Sequence, residues 1–133
     1  MGESAAVGIV LVSHSAQLAQ GAAEVAAQVG AGVVDVVGVG GTADGRLGTD
    51  VDALATAVEK IAGPAGVLVI PDLGSSVLSA KSYLADGELP TQVVIADAPF
   101  VEGAVSAAVA ASSGAGLAEV VAAAEGARDV RKL

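Results

Sequence analysis

The sequence predicts an α/β protein: an open, mainly parallel sheet with helices on both faces, in strand order 2-1-3-4. Three observations predict it. Short β-rich runs alternate with helical patterns four times along 133 residues. The first run is continuous and β-branched, as in a strand buried on both faces. Helix-length segments join them, so successive strands pair in parallel through crossovers.

The elements follow in order. "VGIVLVS" (7–13) is the first strand, β-branched and bounded by small residues. "AQLAQGAAEVAAQV" (16–29) is a helix whose Leu18, Ala22, Val25, Ala26 and Val29 share the expected core face. Gly30 and Gly32 stop it. "VVDVVGV" (33–39) is the second strand, followed by the loop "GGTADGRLGTD" (40–50). Thr49 or Asp50 caps a helix that aligns Val51, Leu54, Val58 and Ile61. Gly63-Pro64 ends that helix, and "GVLVIPD" (66–72) is the third strand. "LGSSVLSAKSYLADG" (73–87) is a glycine turn and a helix, with Ser75 or Ser76 near its cap. "TQVVIAD" (91–97) is the fourth strand. A helix from about 100 to 111 follows Ala98-Pro99, and Ser112-Ser113-Gly114 separates it from a last helix near 117–124. Residues 1–133 read as one domain, with a tail expected to fray from about 126.

Composition narrows the chemistry. The net charge of −9 argues against nucleic acid and against an anionic membrane surface. No cysteine excludes disulfides, thiol catalysis and thiolate metal sites, and the single histidine excludes a histidine-rich zinc site, so no metal is expected. The apolar stretch 7–12 is far shorter than the ~20 residues of a membrane span. No basic residues precede it, and Ala6 stands where myristoylation wants Ser or Thr. A cytoplasmic protein without a cofactor is the expectation.

In an open parallel sheet, sites form at the carboxyl ends of strands where strand order reverses. The ends of strands one and three border that crevice. His14 follows the first, and Asp72, Gly74 and Ser75 follow the third. A neutral imidazole offers one nitrogen as a nucleophile while a carboxylate holds the proton on the other. Once substituted, the ring becomes cationic and the acid stabilises it. Backbone N–H groups of the Gly74-Ser75-Ser76 turn suit an anionic oxygen. Histidine, acid and anion cradle favour phosphoryl transfer through phosphohistidine. Thr42, Arg46 and Thr49 of the 40–50 loop are candidate flanking groups, with Arg46 the nearest phosphate-pairing cation.

Other readings stand beside this one. His14 can be a hydrogen-bonded strand-end residue, and Asp72 a helix cap, in a non-catalytic binding module. A Ser-His-Asp hydrolase lacks the G-x-S-x-G elbow, and Ser13 and Ser15 merely adjoin His14 in sequence. "GVGGTA" (38–43) fits a dinucleotide fingerprint but follows the second strand and leads into a turn, and no GK[ST] is present. Asp35 and Asp97 suggest a receiver, yet His14 takes the place of its acid cluster and Lys132 lies in the tail. A flavin would want aromatic walls, and only Tyr83 and Phe100 exist.

The motifs S-H-S (13–15), G-T-x-D-G-R-x-G-T (41–49) and D-L-G-S (72–75), together with "APFVEGAVSAAVAASSGAGLAEVVAAA", resemble the mannose-type enzyme IIA family. Within it they are most like the phosphotransferase subunits of phosphoenolpyruvate-dependent dihydroxyacetone kinases. The resemblance covers about residues 7 to 125. It implies that His14 takes a phosphoryl group from the carrier HPr and passes it to ADP held on a kinase subunit. It implies that Asp72 orients His14, that Gly74 and Ser75, with Ser13 and Ser15, hold the phosphoryl oxygens, and that the chain is a homodimer through its C-terminal half. Some members carry HPr-like and enzyme I-like domains after this one; an end at Leu133 implies a separate donor. The alternative is the enzyme IIA component of a mannose-type sugar transporter, whose acceptor is a IIB domain.

Overall fold

In the computed structural model, residues 6–42 and 44–133 are described. The readings of the N-terminal five residues and of Ala43 lie outside them. Four strands, β1 (Gly8–Ser13), β2 (Val36–Gly40), β3 (Val67–Pro71) and β4 (Val93–Ile95), form one parallel sheet in the order β2-β1-β3-β4. Five α-helices intervene or follow: α1 (Ala16–Val29), α2 (Val51–Ile61), α3 (Gly74–Ala85), α4 (Phe100–Ser112) and α5 (Leu117–Gly126). The strand order is the one expected.

Because side chains alternate along a strand, β1 and β3 feed two cores. Ile9, Leu11, Leu68 and Ile70 pack under α1, α4 and α5. Val10, Val12, Val67 and Val69 pack with Leu54, Val58 and Ala80 of α2 and α3. Among the described residues no helix is long and apolar enough to cross a membrane.

The core face of α1 differs from the expectation. Leu18, Val25 and Val29 are 45%, 49% and 40% exposed, while Ala19, Ala22, Ala23 and Ala26 are buried. The cause lies across the interface, in two glycines of β2. A Cβ on Gly38 would sit 2.4 Å from the Ala19 carbonyl oxygen, and one on Gly40 would sit 2.4 Å from that of Ser15. The helix lies so close to the strand that only small side chains fit between them. Gly38→Ala is therefore expected to destabilise the fold by about 2 kcal/mol, roughly 8 °C in Tm. Gly21, exposed within α1 with nothing within 4 Å of its missing Cβ, makes the control. Gly21→Ala should gain about 0.5–1 kcal/mol. Thermal melts of the two variants, shifted in opposite directions, check the argument.

Two strands start later or end earlier than the sequence suggests. Ala31 and Gly32 take positive φ, and the Val33 N–H bonds back to the Gly30 carbonyl, so the turn closing α1 consumes the start of the second run. In the fourth run, Gln92 and Ala96 still bond to β3 on either side of β4. The tail expected to fray from about 126 contains a short ordered turn. Residues 127–129 form a 3-10 turn with Ala127 buried, and Arg128 bonds the Asp97 carbonyl and carboxylate at the end of the fourth run.

Candidate active site

β1 and β3 are neighbours, with Val12 opposite Pro71, so Ser13 and Asp72 leave the sheet side by side. The Asp72 N–H reaches the Val12 carbonyl at 2.9 Å and extends the ladder by one rung. Beyond it the chain turns on local polar contacts. The Ser15 N–H donates to Ser13 Oγ at 3.0 Å, and Ser15 Oγ caps α1 by accepting from the Leu18 N–H at 3.2 Å. These bonds leave His14 at the crest of the strand, its side chain 29% exposed.

Asp72 is the hub. Its side chain is only 8% exposed. Oδ1 accepts from the Leu73 N–H at 2.7 Å and from Ser76 Oγ at 2.7 Å, and lies 3.2 Å from His14 Nδ1. Oδ2 accepts from Ser13 Oγ at 2.7 Å and from the His14 N–H at 3.3 Å. Burial by itself would raise the pKa of this carboxyl. The hydrogen bonds from Ser76, Ser13, His14 and Leu73 outweigh burial and hold it at about 2.

An ionised carboxylate only accepts hydrogen bonds, so the His14 proton belongs on Nδ1. Nε2 keeps its lone pair and faces the exposed Ser75 hydroxyl. Beside it, α3 starts at Gly74 behind Leu73, which gives no side-chain cap. The N–H groups of the first turn therefore lack intrahelical acceptors. Gly74 is exposed, and nothing stands within 4 Å of where its Cβ would be. The arrangement presents a nucleophilic nitrogen, an anion-accepting helix start and an anionic counter-charge behind the ring.

The structure brings His14, Asp72, Gly74 and Ser75 together. Ser13 and Ser15 take other places than the expected phosphoryl contacts. Ser13 is fully buried and serves Asp72, while Ser15 accepts from the Leu18 N–H as the cap of α1. In the 40–50 loop, Arg46 pairs with Asp44 at 2.8 Å and Thr42 bonds the same carboxylate. Thr49 reaches Ser79 of α3 at 2.5 Å, and the Gly48 N–H donates to the His14 carbonyl at 2.9 Å. The loop thus grips the backbone that carries the histidine. Sequence reasoning missed Ser76 as a partner of Asp72. The four-residue interval from Asp72, one helical turn, was the available signal.

A doubly wound parallel sheet with an acid-oriented imidazole at its switch point defines a class of α/β proteins whose chemistry is set at the β1/β3 crevice. The family model described as "PTS system fructose IIA component", of the mannose-type enzyme IIA, matches residues 8–121, and the chain belongs to that family. It is 39% identical over 105 residues to the "PEP-dependent dihydroxyacetone kinase 2, phosphoryl donor subunit DhaM" of Listeria innocua, covering 77% of this chain and 84% of that one. It is 35% identical over 127 residues to the corresponding donor subunit of Escherichia coli, where 86% of this chain spans only 25% of the relative. A crystal structure of a protein of unknown function, EF1359, superposes with a TM-score of 0.79 at 32% identity, over 90% of this chain and 93% of the other.

Proposed function

We propose that this chain is a phosphoryl donor subunit of a phosphoenolpyruvate-dependent dihydroxyacetone kinase, working as a phosphohistidine carrier. The observation that carries the reading is the ionised Asp72 carboxylate on Nδ1, which leaves Nε2 as the free nucleophile. Support comes also from the donor-subunit relatives.

In the first step the Nε2 lone pair forms a bond to the phosphorus of phospho-HPr. The P–N bond to the HPr histidine breaks, and that imidazole leaves with the bonding pair. The His14 ring is now cationic, and Asp72 stabilises it across the Nδ1–H bond. Ser75 exchanges its contact with Nε2 for a phosphoryl oxygen, joined by the N–H groups at the start of α3. In the second step a β-phosphate oxygen of ADP, held on the kinase subunit, attacks phosphorus in line. The N–P bond breaks, and His14 returns to its neutral form. No cofactor is required on this chain. HPr is the donor, the ADP-bound subunit is the acceptor, a second copy completes a dimer, and the setting is the cytoplasm.

The test mixes the chain with labelled phosphoenolpyruvate, enzyme I and HPr, then offers two acceptors side by side. We expect acid-labile, alkali-stable label that discharges to the ADP-bound kinase subunit and not to a IIB domain. Discharge to the IIB domain alone would assign the chain to a sugar transporter. Absence of any label on the protein would sink the carrier reading.

A further inference from the structure

We propose that Ser76 fixes the His14 proton on Nδ1 and is thereby a positioning residue for chemistry at Nε2. The catalytic consequence rests on the carrier reading above; the tautomeric one does not.

Ser76 and Ser13 are the fully buried polar side chains among the described residues. Burying a hydroxyl is costly unless it is hydrogen-bonded. Alanine would satisfy the packing, as Ala80 does one turn later on the same buried face. The hydroxyl is spent on the site. Ser76 Oγ lies 2.7 Å from Asp72 Oδ1 and 3.4 Å from His14 Nδ1. The carboxylate has no proton to give, so Ser76 donates its only proton to Oδ1. What the hydroxyl then turns to the ring is a lone pair.

Two acceptors therefore converge on Nδ1: Asp72 Oδ1 at 3.2 Å and Ser76 Oγ at 3.4 Å. Each is long for an N–H···O bond, and together they make a forked acceptor. The other tautomer would set the Nδ1 lone pair against two oxygens and leave the proton on the nitrogen that must attack. Consecutive serines thus divide the ring. Ser76, buried, governs Nδ1, while Ser75, exposed, meets Nε2. A helix start places both, because adjacent helical residues point about 100° apart.

The experiment uses the full chain labelled with 15N. The protein has one histidine, so its two ring nitrogens are assigned without ambiguity. At a pH where the ring is neutral, wild type should show a single tautomer with Nδ1 protonated. In Ser76→Ala, with Asp72 still in place, the ring-nitrogen shifts should move part of the way toward the Nε2-protonated tautomer, while the amide spectrum reports an intact fold. The initial rate of labelling from phospho-HPr should fall about tenfold, the worth of one hydrogen bond to a charged group. Ser76→Thr, which keeps the hydroxyl, should restore both readings. Unchanged ring-nitrogen shifts in Ser76→Ala overturn the proposal, whatever the rate does. If wild type takes no label at all, the carrier reading fails, and the tautomer measurement still decides the role of Ser76.

Discussion

His14→Ala is expected to fold like wild type and to accept no phosphoryl group from phospho-HPr. The loss should be complete because no other side chain at the crevice carries an unprotonated nitrogen, and the buried Ser13 and Ser76 hydroxyls face only the weakly basic Asp72 carboxylate. Stability should drop by only about 1 kcal/mol, since the partly exposed ring gives up one hydrogen bond to Asp72. His14→Gln should behave alike, for an amide side chain offers no lone pair of comparable basicity. Gel autoradiography with a thermal melt on the same samples separates loss of chemistry from loss of fold. Retained label in His14→Ala would refute the assignment. Label from acetyl phosphate that survives His14→Ala yet disappears in Asp72→Asn would replace it with a receiver-like acyl phosphate.

Changing Asp72 should damage both fold and chemistry, and two variants divide the effects. Asp72→Ala strands the buried hydroxyls of Ser13 and Ser76 and the N–H groups of Leu73 and His14. The expected cost is about 3 kcal/mol. Asp72→Asn keeps the volume but can turn an N–H toward Nδ1, which drives the ring proton to Nε2. Phosphoryl uptake should then fall on the order of 10³-fold or more, as for a triad histidine in the wrong tautomer. The pH dependence has a definite sign. The folded carboxyl lies at about 2 against an ordinary 3.8, so the unfolded chain binds the proton more readily. The stabilisation from Asp72, about 2 kcal/mol, is complete above pH 3.8 and is lost as pH falls toward 2. Denaturant titrations of wild type and Asp72→Asn should differ at pH 7 and converge through that window. A gap that stays constant would show that the carboxylate charge contributes nothing to stability.

The strand order could be read because β1, up to Ser13, and β3 run without a charged residue and are buried at every position, as in a sheet covered on both faces. His14 and Asp72 could be placed because that order makes their strands neighbours. The α1 face was misread for a physical reason. Periodicity weighs large side chains, and here the close contact is built from alanines on the helix and glycines on the strand, so Leu18 and Val25 point outward. On α2 the glycine approach is confined to its last residue, where a Cβ on Gly8 would meet Ile61, and the expected Leu54 and Val58 are buried. Arg46 pairs with Asp44 of its own loop, a neighbour that the sequence reading did not single out as its partner. Ser76 was passed over because a serine at a helix start has an ordinary explanation as a cap. Leu73 in fact occupies the cap position, one turn is needed to see the link to Asp72, and burial cannot be read from one letter.

The contacts that orient the imidazole span 58 to 62 residues of chain. Such separations carry a loop-closure cost that is met only when β1 and β3 dock, late in folding for parallel topologies. A nascent or clipped chain holding His14 without Asp72 has an unoriented imidazole in water and is chemically mute. On the proposed carrier function, reactivity is switched on by the same event that completes the sheet, and regained phosphoryl uptake during refolding should time the arrival of native long-range pairing.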